Sequence, residues 1–367
     1  MSSSVSPHKV TAVAARLRDD IHAGVYLPGT LMPPERRLSA ALGVARNTLR
    51  KALETLQEEG LLRHEPRRGM LVAEVLDTAV SGLFLLLLPS LPDCSPSTLT
   101  PEAMALIGST LCACGGSDMR FHLDALPGGD PAELLRLVRQ WRFRGVLLIE
   151  AENEALLNVL AQEGIPYVVV NQEQDLPGPA TRVDFWRIGR LAAEHFLGLG
   201  HRRLGILGGR PGQYLYDRML AGFRGRAAES GVYVEPQHIV HVISCSEASR
   251  AAALEMLAAP DRPTALFCTR DVRAYGAYLA ARELGLRVPD DLSLVGYDDI
   301  TWPGEGRRFL TTFPEPTADL GRRAVMMLVS WVKTGQMPSD AVICPELVIR
   351  QSTAPCGISK EAVTTHE

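Results

Sequence analysis

No apolar run in this sequence is long enough to cross a bilayer. The longest, Leu83–Pro89, falls far short of the ~20 residues a spanning helix needs. The first ten residues lack the charged-then-apolar pattern of a secretory leader, which reads as a cytoplasmic protein with no membrane partner. Cysteine is sparse, at 7 residues, and only Cys112 and Cys114 stand close together. With no second pair at metal spacing, zinc is not expected, and the cysteines read as reduced, small apolar residues. The 9 histidines show no ligand spacing; His195 and His201 read as surface or structural groups. Gly-x-Ser-x-Gly, Walker and His-Glu-x-x-His motifs are all missing. Gly208-Gly209-Arg210 lacks the lysine and spacing of a phosphate loop. An enzyme is therefore not expected, nor is a cofactor.

What is present is an ordinary globular composition, 46% hydrophobic and 22% charged over 367 residues. At about 150 residues per domain this length predicts two or three domains. The net charge of −4 hides an asymmetry: residues 1–75 carry net +3 and the remainder net −7. A basic head on an acidic body suggests two jobs.

In the head, Val10, Val13, Ala14, Leu17 and Ile21 recur at helical spacing and predict a helix over 8–23. Pro33-Pro34 opens a short second helix, which Gly43 ends, and a third follows over 45–59. Two short helices joined by a glycine turn read as a helix-turn-helix. On the third, Leu49, Ala52, Leu53 and Leu56 share one face, and Arg46, Asn47, Arg50 and Lys51 lie opposite. From Arg36 to Leu53 every charged residue is basic, so the third helix opens on positive charge. Helices ordinarily favour acids there. A recognition helix needs the reverse, because its first turns face phosphates and base edges. Arginine can bond guanine twice and asparagine adenine twice. A generic charged, solvated face remains the alternative. Beyond Gly60, two β-prone runs flank a turn and predict a hairpin, with Arg67 and Arg68 at its tip.

Met32-Pro33-Pro34-Glu35-Arg36, Leu42-Gly43-Val44, Arg46-x-Thr48-Leu49-Arg50-x-Ala52-Leu53 and Glu59-Gly60-Leu61-Leu62 together resemble the GntR-type winged-helix domain. The resemblance implies a winged helix over 8–73 in which Arg36, Arg46, Thr48 and Arg50 touch operator DNA. Ala45 departs from the family's serine or threonine and removes an N-cap. Arg67 stands where the wing usually has its first glycine.

After a linker at 74–80 the pattern changes to apolar runs alternating with helical stretches. The expected strands are 83–88, 119–123, 145–149, 166–170, 204–207, 239–243, 265–268 and 292–295. Helices are expected at 131–142, 154–163, 188–199, 217–229, 246–258 and 272–284. Such alternation means parallel sheets covered by helices. About 270 residues of it exceed one doubly wound sheet, which suggests two lobes with ligand at the strand ends.

Leu199-Gly200-His201-Arg202-Arg203-Leu204-Gly205, Gly222-Phe223, Val288-Pro289-Asp290-Asp291-Leu292 through Gly296-Tyr297-Asp298-Asp299, and Leu347 through Thr353 resemble the LacI/GalR-type sensor, itself similar to periplasmic sugar-binding proteins. This implies a two-lobed sensing and dimerising body over 81–353, with a flexible tail at 354–367. Crossovers are implied near Arg182–Asp184, Thr311–Glu315 and Ser339, with a helix over 317–333 returning to the first lobe. The resemblance places Asp298, Arg270 and an arginine near Gly222 against the ligand. Met219 holds the usual arginine position, so Arg218 is the candidate. Arg270 and Phe185 each replace an asparagine. An aspartate suits sugar hydroxyls, and an arginine favours a carboxylate or phosphate. Asp298 also reads as a turn residue and Asp271 as a helix N-cap. Tyr214, Tyr216 and Trp302 read either as ring-stacking or as packing groups.

The expected whole is an α+β winged helix-turn-helix head on an α/β two-lobed body with parallel sheets. It would act as a dimeric repressor that binds double-stranded operator DNA and responds to a small-molecule effector such as a sugar. The alternative is a DNA-binding dimer whose body no longer senses a ligand.

Overall fold

A computed structural model describes residues 7–22, 25–26, 30–58, 61–65, 69–72, 82–88, 101–113, 119–126, 129–151, 153–302 and 309–357. The chain divides into two compact units, Met1–Arg182 with Thr317–Ile343, and Val183–Pro316 with Cys344–Glu367.

Helices α1 (Pro7–His22), α2 (Glu35–Leu42) and α3 (Arg46–Glu58) form the head. The predicted periodicity sets their packing: Val13, Ala14, Leu17 and Ile21 of α1 share a core with Leu38, Leu49, Ala52, Leu53 and Leu56. Gly43 ends α2 in the left-handed region at φ 64, which makes the tight turn possible. The Ala45 carbonyl accepts the Thr48 and Leu49 N–H groups, so α3 starts without help from a side-chain cap. Strands β1 (Leu62–Glu65) and β2 (Gly69–Val72) pair antiparallel as a hairpin. Leu31 bridges to Leu71 on the hairpin's other edge. The wing tip with Arg67 and Arg68, and the linker at 74–80, lie outside the described residues.

Strands β3 (Gly82–Leu88), β4 (Met119–Ala125), β5 (Val146–Ile149) and β6 (Tyr167–Val170) form a parallel sheet in the order β4-β3-β5-β6. Continuous apolar runs such as Val146–Ile149 are buried throughout, as a sheet covered on both faces requires. The helices between them are α4 (Pro101–Ala113), α5 (Pro131–Trp141) and α6 (Glu154–Gln162). Asp130 caps α5 by accepting the Ala132 N–H at 2.9 Å, and Asn153 caps α6 through Ala155 at 3.0 Å. Strand β7 (Thr181–Val183) leads out of this unit.

The second unit contains α7 (Phe185–Gly198), β8 (Leu204–Gly208), α8 (Tyr214–Glu229), β9 (Ile239–His241), α9 (Ser246–Ala258), β10 (Ala265–Cys268), α10 (Asp271–Glu283), β11 (Ser293–Asp298) and β12 (Thr311–Pro314). Its sheet runs β12-β11-β10-β8-β9, all parallel. Helices α7 and α8 approach backbone to backbone at two glycines. A Cβ at Gly222 would sit 1.9 Å from the Trp186 carbonyl oxygen, and one at Gly189 2.0 Å from that of Met219. His201 is buried and structural: its Nδ1 lies 2.9 Å from Thr264 Oγ1 and its Nε2 3.1 Å from Ser293 Oγ. Burial pushes its pKa down.

Helix α11 (Thr317–Thr334) and strand β13 (Ala341–Ile343) return to the first unit. The units therefore change over at Arg182/Val183, Pro316/Thr317 and Ile343/Cys344, the last a few residues beyond the expected Ser339. Residues 354–356, expected within the tail, instead bond to the second unit. The Ala354 N–H bonds Ser293 Oγ and the Cys356 N–H bonds the Leu199 carbonyl, while 358–367 lie outside the described residues.

Candidate DNA-binding and effector sites

In the head, Arg36, Arg46, Asn47 and Arg50 are all exposed. Two expectations change. Thr48 is only 7% exposed, one helical turn before fully buried Ala52, so it does not display its side chain with the others. Arg50 is not an unopposed cation: its Nη2 donates to Glu35 Oε2 at 3.0 Å and its Nε to Oε1 at 3.5 Å. Glu35 starts α2, just before the acid-free stretch, so the partner becomes visible only once α2 and α3 are folded together. The Glu35 bond raises the Arg50 pKa further.

In the second unit the strand order reverses between β8 and β10, and open α/β sheets place their ligands outside the carboxyl ends of the strands at such a point. Arg270 stands there as the N-cap residue of α10, with Asp298 at the end of neighbouring β11. The structure joins these two candidates: Arg270 Nη1 donates to Asp298 Oδ1 at 2.8 Å, with side-chain exposures of 19% and 8%. Burial opposes the Arg270 charge, but Asp298, followed by Tyr216, Glu315 and Tyr297, holds it firmly protonated. Asp298 adopts φ 122 and Asp299 φ 63, positions that L residues rarely take. Arg350 secures this segment by donating to Asp299 Oδ1 at 2.6 Å.

Asp271 is not the N-cap that the sequence suggested. It is the first residue of α10, and its buried carboxylate turns away to accept Thr312 Oγ1 at 2.7 Å and the Ile300 N–H at 2.9 Å. Burial pushes its pKa up to about 6. Gly296 makes room for it, since a Cβ there would lie 2.1 Å from Asp271 Oδ1. Arg273, one turn along α10, is also buried. It donates to the Val242 carbonyl and to Thr269 Oγ1 and lies 4.6 Å from the Tyr216 ring centre. Tyr216 in turn needs Gly209, where a Cβ would meet the ring at 1.9 Å. Arg218 is exposed, lies 5.9 Å from the Tyr214 ring centre, and pairs with neither Arg270 nor Asp298 among the described residues. Met219 is fully buried. Trp302 packs with Tyr275, Tyr278 and Phe309, which settles its role as packing.

The first unit carries a polar group at its own strand ends that the sequence did not reveal. Glu150 follows β5 at φ 47, and Asn171 and Gln172 follow β6, with Asn171 at φ 57. Asn171 Nδ2 donates to Glu150 Oε1 at 3.0 Å. Gln172 is 1% exposed, yet among the described residues neither end of its amide has a partner, nor does Asn171 Oδ1. Buried amides without partners are uncommon and call for an explanation. The only sequence signal was two polar residues directly after an apolar strand.

Residues 9–72 match the family model of bacterial regulatory proteins, gntR family, and residues 193–353 match the periplasmic binding protein-like domain. The chain is 31% identical over 224 residues to the HTH-type transcriptional repressor PurR of Photobacterium profundum, covering 60% of this chain and 67% of that one. It is 30% identical over 239 residues to the ribose operon repressor of Haemophilus influenzae, covering 62% and 70%. A solved LacI family transcriptional regulator from Mycobacterium smegmatis is 30% identical with a TM-score of 0.56, covering 75% of this chain and all of that one. The chain belongs to the LacI family of transcriptional regulators. This regulator combines a gntR-type winged helix with a LacI-type body. No helix among its described residues is long and apolar enough to cross a membrane.

Proposed function

We propose that this regulator is a cytoplasmic homodimeric repressor, not an enzyme, whose second unit binds a small polar effector, a carbohydrate or its derivative. One recognition helix reads few base pairs, so two heads are expected to read a two-fold operator. Arg36, Arg46, Asn47 and Arg50 are the proposed DNA contacts, with Arg67 at the wing. The effector is assigned to Asp298 and Arg270. The observation that carries this is the nearly buried Asp298, held at φ 122 at the end of β11 and bonded to Arg270, which follows β10 at the strand-order reversal.

The test uses the full chain and a duplex selected by it from a random pool. A sugar and sugar-acid panel is screened for compounds that change duplex affinity. Asp298→Asn should weaken the response by about 1.5–3 kcal/mol, the worth of a hydrogen bond to a charged group. A response equal to wild type would remove Asp298 from the site. A second reading, a body kept only for dimerisation, draws support from Arg270 already engaging Asp298 and from Met219 in place of an arginine. It gains if no panel compound shifts melting.

A further inference from the structure

The Arg270–Asp298 pair bears on which effector this regulator takes. Among the described residues the Arg270 guanidinium makes one hydrogen bond, through Nη1, and its Nε and Nη2 have no protein partner. A guanidinium can present two parallel N–H groups to a carboxylate, so an unused edge remains on a side chain only 19% exposed. The Tyr297 ring centre lies 5.7 Å from the guanidinium carbon and helps fix its plane. Arg270 also stands at the N-terminus of 13-residue α10, where the helix dipole favours negative charge.

A neutral sugar whose hydroxyls displaced Arg270 from Asp298 would strand a largely buried cation, which is strongly unfavourable. An acid avoids this by taking the unused edge of Arg270 and leaving the ion pair intact. The surroundings also limit the charge. The cations Arg270 and Arg273 are matched by Asp298 and by Glu315, which acts on Arg270 electrostatically. Asp271 adds a further carboxyl, turned toward Thr312 and Ile300. With the two cations already matched by carboxylates, the site offers a single unused guanidinium edge for one carboxylate and no surplus cation for a dianion.

We infer that the effector is a monoanionic hydroxy acid, of the aldonate or uronate class, whose carboxylate is received by Arg270. This rests on the proposal that the strand ends of the second unit bind the effector. The experiment is calorimetric titration of the full chain with glucose, gluconate, glucuronate and glucose 6-phosphate, and with the corresponding galactose series. At least one carboxylate should bind ten-fold or more tighter than its neutral and phosphorylated counterparts. Arg270→Asn should abolish that advantage and Arg270→Lys should retain part of it. A neutral sugar binding best, and changing duplex affinity, would overturn the inference while sparing the effector-site proposal. A phosphorylated sugar binding best, or no carboxylate binding at all, would also overturn it. Should the variants fail to fold, the wild-type ranking alone decides.

Discussion

The two units end their parallel strands differently. The first closes on amides: Asn171 and Gln172 are buried with atoms that have no partner among the described residues. The second closes on charges that already have partners, Arg270 with Asp298 and Arg350 with Asp299. An unpaired buried amide is destabilising, and removing it relieves the chain. A buried ion pair behaves oppositely, because removing one partner leaves the other unmatched. The same kind of mutation should therefore have opposite signs in the two units.

The largest expected effect is in the second unit. Asp298→Ala should destabilise it by about 3 kcal/mol, since Arg270 is left largely buried without its carboxylate. Denaturant unfolding followed by hydrogen exchange in β10 and β11 would report it, and an unchanged midpoint would break the contrast. Next comes DNA binding: Arg46→Ala should weaken binding to the selected duplex by about 1–3 kcal/mol if a base-edge pair is lost. Fluorescence anisotropy checks this, with Lys333→Ala, on α11 far along the chain, as control. Third, Gln172→Met should stabilise the first unit by about 1 kcal/mol by replacing an unpartnered amide with an apolar group of similar size. Loss of stability would mean that ordered water satisfies the amide.

The smallest effect is a pH dependence. Burial raises the Asp271 pKa to about 6 from an ordinary 3.8, so the native state binds more protons than the unfolded state between those values. The linkage slope is then negative. This group favours folding as pH falls from about 6 toward 4, and the gain fades above 6. Asp271→Asn should remove that component from denaturant midpoints taken between pH 4 and 7. A variant that keeps the wild-type slope would assign it elsewhere.

Much of the architecture could be read from local pattern. Leu49, Ala52, Leu53 and Leu56 form the inner face of α3 as their spacing required. The body strands fall within a few residues of the expected apolar runs. Helix α4 was not expected, because Pro101–Ala113 is apolar or small on most positions and shows no clear one-sided stripe. Strand β12, expected only as a crossover near Thr311–Glu315, acquires its identity from pairing with β11. The site was less legible for the same reason. Glu35 meets Arg50, Asp271 meets Thr312, and Gln172 is buried through contacts between residues distant in sequence. The family resemblance marked Asp298 and Arg270 as candidates, but their mutual engagement required the fold.

The most direct measurement is hydrogen exchange on the full chain, alone, with the selected duplex, and with the panel compound that raises the melting temperature most. The duplex should protect α3 around Arg46–Arg50. The compound should protect Thr269–Arg273 and Tyr297–Ile300. Duplex protection confined to the body, or compound protection that leaves both second-unit segments unchanged, would contradict an operator-binding head joined to an effector-sensing second unit.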